Sequence, residues 1–70
     1  MAESAYKIIE LVGTSTESWE AAARGAIERA SSTLRDLRIA EVEKLDLTVD
    51  NNKVVLYRAR IKLSFKYEEA

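Results

Sequence analysis

An alternating segment near the carboxyl end of the chain constrains the fold more than any other feature. It runs from Val54 to Tyr67 and reads VVLYRARIKLSFKY. From Val55 onward every second residue is apolar, and from Arg58 the intervening residues are Arg, Arg, Lys, Ser and Lys. This period of two is typical of a long β-strand with one face on a core, and neither Gly nor Pro interrupts it. Because so long a strand needs partners on both edges, we expect it to be the central strand of a sheet.

Two further strands precede this segment. Ser4–Val12 is predicted as the first strand, and Gly13 after it is expected to permit a sharp change of direction. Arg38–Val49 is predicted as the second strand, and Asp50–Lys53 as a turn. With a helix after the first strand the order is β-α-β-β. A right-handed crossover makes the first two strands parallel, so the third can lie between them, antiparallel to both. The prediction is one α+β domain over residues 1–70, with one helix on a three-stranded antiparallel sheet of order 1-3-2.

The segment between the first two strands has the pattern of an amphipathic helix. It runs from about Glu17 to about Leu34, and Thr14 with Glu17 fits a capping box, although either of the next two hydroxyl residues could cap it instead. Its apolar stripe, spaced three and four apart, consists of Trp19, Ala22, Ala23, Ala26, Ile27, Ala30 and Leu34. Gly25 falls on the other side, where it marks either the close approach of a neighbouring subunit or a tolerated surface glycine.

The hairpin between the second and third strands contains an anomaly. A four-residue turn sets Val49 opposite Val54. The pairs that follow are Leu45–Arg58, Glu43–Arg60, Glu41–Lys62, Val42–Ile61, Ala40–Leu63 and Ile39–Ser64. Toward the tip, the apolar residues of the second strand change face, so either a bulge near residues 43–44 rotates the strand or the tip presents a second apolar surface. Both alternatives leave more apolar surface than one helix can cover, and we expect another copy of the chain to bury it.

The composition narrows the classes of function. The 70 residues include no Cys and no His, so oligomerisation is the expected extra source of stability. A net charge of -1 gives no reason to expect a nucleic-acid partner, and we find no apolar run for a membrane span and no signal segment. We therefore expect a cytoplasmic protein. General acid–base chemistry would rest on carboxylates alone, and a nucleophile on an unsupported Ser or Thr, so we expect no enzyme.

Several segments of the chain resemble the dodecin family. They are Tyr6–Ser15 (YKIIELVGTS), Ser18–Ala22 (SWEAA), Thr33–Arg38 (TLRDLR) and the strand Tyr57–Phe65. The resemblance covers nearly the whole chain and implies a β-α-β-β subunit, twelve copies of which form a hollow sphere. It also implies pockets between subunits, in which flavin-binding members hold pairs of flavins such as riboflavin or FMN as a storage and photoprotective buffer.

Two positions depart from the flavin-binding pattern. Where flavin-binding dodecins carry a Trp that stacks on the isoalloxazine ring, this chain has Ile39. Where they carry a Gln that hydrogen-bonds the polar edge of the flavin, it has Arg58. Ile offers no π-face, and Arg can only donate and adds a charge. The resemblance therefore predicts a homododecamer that stores a small ligand, unidentified from the sequence, with weak or absent flavin binding; flavin binding in a modified mode is an alternative.

A further alternative is a structural or calcium-binding dodecamer, with cations at contacts between subunits and no organic ligand. A calcium-binding branch of the family resembles this chain in having a small aliphatic residue and an Arg at these two places. The chain has no DxDxDG-type loop, so a metal would have to sit between subunits, where symmetry multiplies one carboxylate into several. The candidate ligands are Glu10, Glu41, Glu43 and Asp46. The competing interpretation is that these carboxylates form cross-strand or surface ion pairs.

Two other signals allow a functional or a structural interpretation. The basic row consists of Arg58, Arg60, Lys62 and Lys66. It either meets a phosphate-bearing ligand, or Glu41 and Glu43 neutralise part of it and water solvates the rest. Trp19, the single Trp, is expected to be an anchor in the core or in a subunit contact rather than a ligand-binding residue.

Overall fold

The computed structural model describes residues 5–34 and 36–66, and these form four elements. They are strand β1 (Tyr6–Ser15), helix α1 (Trp19–Ser31), strand β2 (Leu37–Asp50) and strand β3 (Lys53–Lys66). Strand β3 lies between the other two and antiparallel to both, in the sheet order β1-β3-β2. The predicted topology and central strand are confirmed, while the predicted strand ends at Ser4 and Tyr67 lie outside the described residues. No helix in the described part of the chain is long and apolar enough to cross a membrane.

Helix α1 packs on one face of the sheet, which we call the helix face, mainly against β1 and β3. The buried core joins three alanines of the helix to three residues of β3: Ala22, Ala26, Ala30, Ala59, Ile61 and Leu63. The predicted apolar stripe of the helix is therefore confirmed, with its small residues at the closest contact. The helix ends at Ser31, three residues earlier than predicted.

Gly13 serves the contact between helix and sheet and makes no turn. Strand β1 continues through it, and Gly13 pairs with Ala59 of β3. Its φ is not positive. A Cβ at this position would collide with the carbonyl oxygen of Ala22 and lie 2.9 Å from the Cβ of Ala26. The predicted change of direction is wrong, and the absence of a side chain instead lets the helix approach β1 closely.

The helix begins two residues later than predicted. Ser18 is its N-cap, and the Ser18 hydroxyl accepts a hydrogen bond from the amide of Ala21 at 3.0 Å. Thr14 lies within β1, opposite Arg58, so the predicted capping box with Glu17 is wrong. The physical reason is that Gly13 extends the strand past the position where the sequence pattern placed its end.

The hairpin turns at Asn51 and Asn52, whose φ angles are 57° and 62°. Two successive positive φ values are characteristic of the type I′ turn, which suits Asn and matches the twist of the flanking strands. Asp50 and Lys53, predicted to lie in the turn, therefore pair with each other at the strand ends.

A bulge at Glu43 explains the anomaly in the second strand. Val42 lies opposite Ile61 as predicted, but Lys44 rather than Glu43 lies opposite Arg60, which leaves Glu43 as the extra residue. The rotation brings Leu45 and Leu47 to the helix face, opposite Ala59 and Tyr57. Of the two alternatives left open by the sequence, the bulge is confirmed.

A second irregularity between Thr48 and Val49 cancels the first, because Thr48 pairs with Leu56 whereas Val49 pairs with Val54 as predicted. The pairs that were also predicted correctly are Glu41–Lys62, Val42–Ile61, Ala40–Leu63 and Ile39–Ser64. The predicted pairs Leu45–Arg58 and Glu43–Arg60 are wrong, since both lie in the stretch that the bulge shifts by one residue.

The helix is too short to cover the hairpin. Its 13 residues rise about 20 Å, whereas strands of 14 residues extend about 46 Å. Much of the apolar surface of β2 therefore stays exposed, including Val42, Leu45, Leu47 and Val49. The accessible surface is 5629 Å², against about 4,400 Å² for a folded monomer of this mass. The surplus of apolar surface predicted from the sequence is confirmed.

Candidate functional site

Five of the six candidate site residues lie on the face of the sheet opposite the helix, which we call the open face, and the bulged Glu43 pairs with Lys62 of that face. Directly opposed residues of neighbouring strands share a face. Four rows therefore cross the open face from β1 through β3 to β2: Thr14–Arg58–Asp46, Val12–Arg60–Lys44, Glu10–Lys62–Glu41 and Ile8–Ser64–Ile39.

The Ile39 row is an apolar end of the open face. Ile39 and Ile8 flank Ser64 on either side, and these two residues are 65% and 61% exposed. Arg58 lies six residues from Ser64 along β3, a separation of about 20 Å. One subunit therefore does not bring Ile39 and Arg58 together, and a small ligand that contacts both positions would have to lie between subunits.

Arg58 is engaged by a carboxylate of the neighbouring strand. Its Nε donates to Oδ1 of Asp46 at 2.9 Å. Both side chains are partly exposed, so the pair contributes at most about 1 kcal/mol to stability. Its main effect is to orient the guanidinium along β2. The sequence register missed this pair because the bulge at Glu43 moves Asp46, rather than Leu45, opposite Arg58.

Trp19 holds the same part of β2 from the helix face. Its indole Nε1 donates to the backbone carbonyl of Asp46 at 3.1 Å. Its ring also meets that of Tyr57 edge-on, with centroids 5.3 Å apart and planes at 80°. Tyr57 precedes Arg58 in β3, so Trp19 contacts the residues on both strands that place the Arg58–Asp46 pair. The predicted packing role is consistent with this position, but no sequence signal indicated a carbonyl partner so distant along the chain.

Three of the four candidate carboxylates surround one lysine. Glu10 and Glu41 lie opposite Lys62 on its two sides, and the bulged Glu43 forms the ion pair, with Nζ and Oε2 3.5 Å apart. The fourth, Asp46, is held by Arg58. In the described part of one subunit, no group of three or more Asp, Glu, His or Cys side chains is arranged to hold a metal ion.

The comparisons with known proteins decide the family. The sequence profile of the Dodecin family matches residues 5–68. This chain belongs to the dodecin family. A calcium dodecin from Mycobacterium tuberculosis is 42% identical over 67 residues, which cover 96% of this chain and 94% of that protein.

Solved dodecin structures have the same fold. Dodecin from Streptomyces coelicolor superposes with a TM-score of 0.92 and 36% identity over 100% of both chains. A calcium dodecin from Mycobacterium tuberculosis, described as calcium-chelating with a novel calcium-binding site, superposes with a TM-score of 0.84. It is 40% identical in sequence, and the match covers 96% of both chains. Ile39 and Arg58, the two positions at which the sequence was predicted to depart from the flavin-binding pattern, both lie on the open face. Ile39 is exposed, and Arg58 is paired with Asp46.

Proposed function

We propose that this protein assembles as the homododecamer implied by its family and stores a small ligand between subunits without enzymatic activity. The uncovered apolar surface supports the assembly. An open groove of about 380 Å³, lined by Trp19, Glu20, Ala23, Val42 and Leu45, runs where the helix leaves β2 uncovered. A second copy of the chain is the occupant that this apolar surface favours, because a 70-residue domain gains stability by burying it.

We propose further that the pocket disfavours flavin in the usual stacking mode. The observation that carries this proposal is the pairing of Arg58 with Asp46 at 2.9 Å. Arginine has no acceptor for the polar edge of a flavin, and the Nε–H donor of Arg58 is already taken by Asp46. Because Ile39 has no aromatic ring to stack on the flavin, a further ~0.5–1.5 kcal/mol of binding free energy is missing for each aromatic pair.

Quenching of riboflavin fluorescence tests this proposal. The wild-type protein at micromolar concentration is expected to quench weakly or not at all, and strong quenching would instead favour flavin binding in a modified mode. The double variant Ile39→Trp/Arg58→Gln is expected to gain affinity, because it restores a stacking ring and a donor–acceptor amide. Ile8→Trp in an Arg58→Gln background is the matched control, since Ile8 lies in the same row with similar exposure. Equal quenching by the two double variants would overturn the assignment of the pocket.

A second candidate function is calcium binding at contacts between subunits. It is favoured by the gathering of Glu10, Glu41 and Glu43 around Lys62 and by 42% identity to a calcium dodecin. In one subunit the Lys62 ammonium is the resident cation, so carboxylates from a neighbouring copy would have to complete a calcium site.

Thermal melting with calcium chloride tests this second candidate against magnesium chloride at the same ionic strength. A melting temperature raised by calcium alone, and no longer raised in Glu43→Gln, is the expected result. Glu28→Gln on the exposed side of the helix is the control and is expected to keep the calcium response. Equal responses to both metals, or an unchanged response in Glu43→Gln, would count against these carboxylates.

A further inference from the structure

Two cations face each other on the open face. The bulge at Glu43 sets Lys44 directly opposite Arg60, so their Cα atoms lie about 5 Å apart across the strands. Like charges in directly opposed positions destabilise a sheet. Without the bulge, the predicted register would have given Arg60 a glutamate instead. The bulge therefore introduces a repulsion between Lys44 and Arg60 that the regular register would not have.

Neither cation has a counter-ion among the described residues of its own subunit. Among residues 5–34 and 36–66, neither side chain makes an ion pair or a hydrogen bond. Two acids on the same face are already engaged, Asp46 with Arg58 and Glu43 with Lys62. Glu41 lies one row away on β2, opposite Lys62. Glu10 lies one row away, opposite Lys62.

The open face is consequently divided by charge. Arg58, Arg60, Lys44 and Asp46 form a basic end of three cations and one carboxylate, with a net charge of +2. Lys62, Glu10, Glu41 and Glu43 form an acidic end of one cation and three carboxylates, with a net charge of −2. The whole chain has a net charge of only -1, so the basic end reflects local placement and not overall composition.

We propose that Lys44 and Arg60 bind a small phosphate-type dianion, with Arg58 beside them. Arg60 is half-buried on the central strand, which limits the motion of a planar fork that matches two oxygens of one phosphate. Lys44 adds a point charge from the neighbouring strand. The acidic end of a second copy is the competing occupant, and of its three carboxylates Glu43 already pairs with Lys62. The inference requires neither flavin nor calcium binding.

Thermal melting in sodium phosphate, against sodium chloride at equal ionic strength and pH, tests the proposal with inorganic phosphate as the probe. Phosphate is expected to raise the melting temperature of the wild-type protein by a few degrees. Lys44→Gln and Arg60→Gln are expected to lose that response and to bind phosphate at least tenfold more weakly by calorimetry. In chloride, both variants are expected to melt higher than wild type, because each removes the repulsion.

Two controls separate the site from general effects of charge. Lys53→Gln removes a lysine at the exposed hairpin end and is expected to keep the phosphate response, as is the conservative Lys44→Arg. A wild-type protein that does not respond, or an equal response in Arg60→Gln and Lys53→Gln, would overturn the proposal. Dissociation of the assembly in both Gln variants during sedimentation would overturn it too, because the counter-ion would then be a carboxylate of a second copy.

Discussion

Trp19 connects the two faces of the sheet at the level of single residues. On the helix face its indole donates to the carbonyl of Asp46, while the Asp46 carboxylate holds Arg58 on the open face. Asp46 thus makes a hydrogen bond on each face of the sheet, one through its backbone carbonyl and one through its carboxylate. An aromatic residue at the start of the helix thereby helps to set the direction of an arginine on the opposite face.

Replacing Trp19 by Phe is expected to lower the free energy of unfolding by about 1 kcal/mol. The variant keeps a ring beside Tyr57 but loses the donor to the Asp46 carbonyl. Urea unfolding followed by far-UV circular dichroism, at a fixed protein concentration, measures the change. Tyr57→Phe is the control: it keeps the ring contact, and its effect is expected to stay within about 0.5 kcal/mol. A Trp19→Phe variant as stable as Tyr57→Phe would show that the hydrogen bond contributes nothing.

At the scale of elements, the contact between helix α1 and strand β1 depends on the absence of a side chain. Gly13 lies so close to Ala22 and Ala26 that a Cβ at position 13 would collide with them. Nothing lies within 4 Å of a Cβ built at Gly25. The two glycines therefore make a matched pair, one in the tightest contact of the subunit and one on open helix surface.

Gly13→Ala is expected to destabilise the protein by about 1–3 kcal/mol, because the helix must move away from the strand. Gly25→Ala is expected to stabilise it by up to about 1 kcal/mol through helix propensity, because the space beside it is open. Thermal melting of both variants measures the difference. A loss of stability in Gly25→Ala would instead favour the interpretation in which a neighbouring subunit packs against Gly25.

On the scale of the whole molecule, the subunit is more extended than a compact globular domain of the same length. Its Cα radius of gyration is 14.6 Å, against about 11 Å for a compact domain of 70 residues. The hairpin extends beyond its single helix, and the apolar side chains of β2 on the helix face are left without intramolecular cover. In the proposed assembly, other subunits are expected to bury this surface and so to stabilise a small chain that has no disulfides.

Leu45→Glu is expected to dissociate the proposed assembly. Leu45 is half-exposed in one subunit and lines the groove beside Trp19. A carboxylate at this position can be hydrated in the single subunit, but burying it in an apolar contact with another subunit would cost free energy. Sedimentation velocity at micromolar concentration measures the change in mass. Thr16→Glu places the same charge in an exposed loop and is expected to leave the assembly intact. A wild-type protein that sediments as a folded single subunit would contradict both this prediction and the proposed function.

The candidate site was only partly predictable because partners across a sheet depend on register. The alternation in β3 correctly placed Arg58, Arg60 and Lys62 on one face, since alternation is a local property. Their partners on β2 changed when one residue bulged, which gave Asp46 to Arg58 and Lys44 to Arg60. A shift of a single residue is enough to exchange an attractive pair for a repulsive one.

The sequence by itself determined the element order, the central strand, the alanine face of the helix and the surplus of apolar surface. All four follow from hydrophobic periodicity and length, which act within a short segment of chain. Only the tertiary structure decided the role of Gly13, the helix cap at Ser18 and the charge division of the open face. These depend on how closely a helix approaches a strand and on which residue faces which, and both are settled by packing between segments distant in the chain.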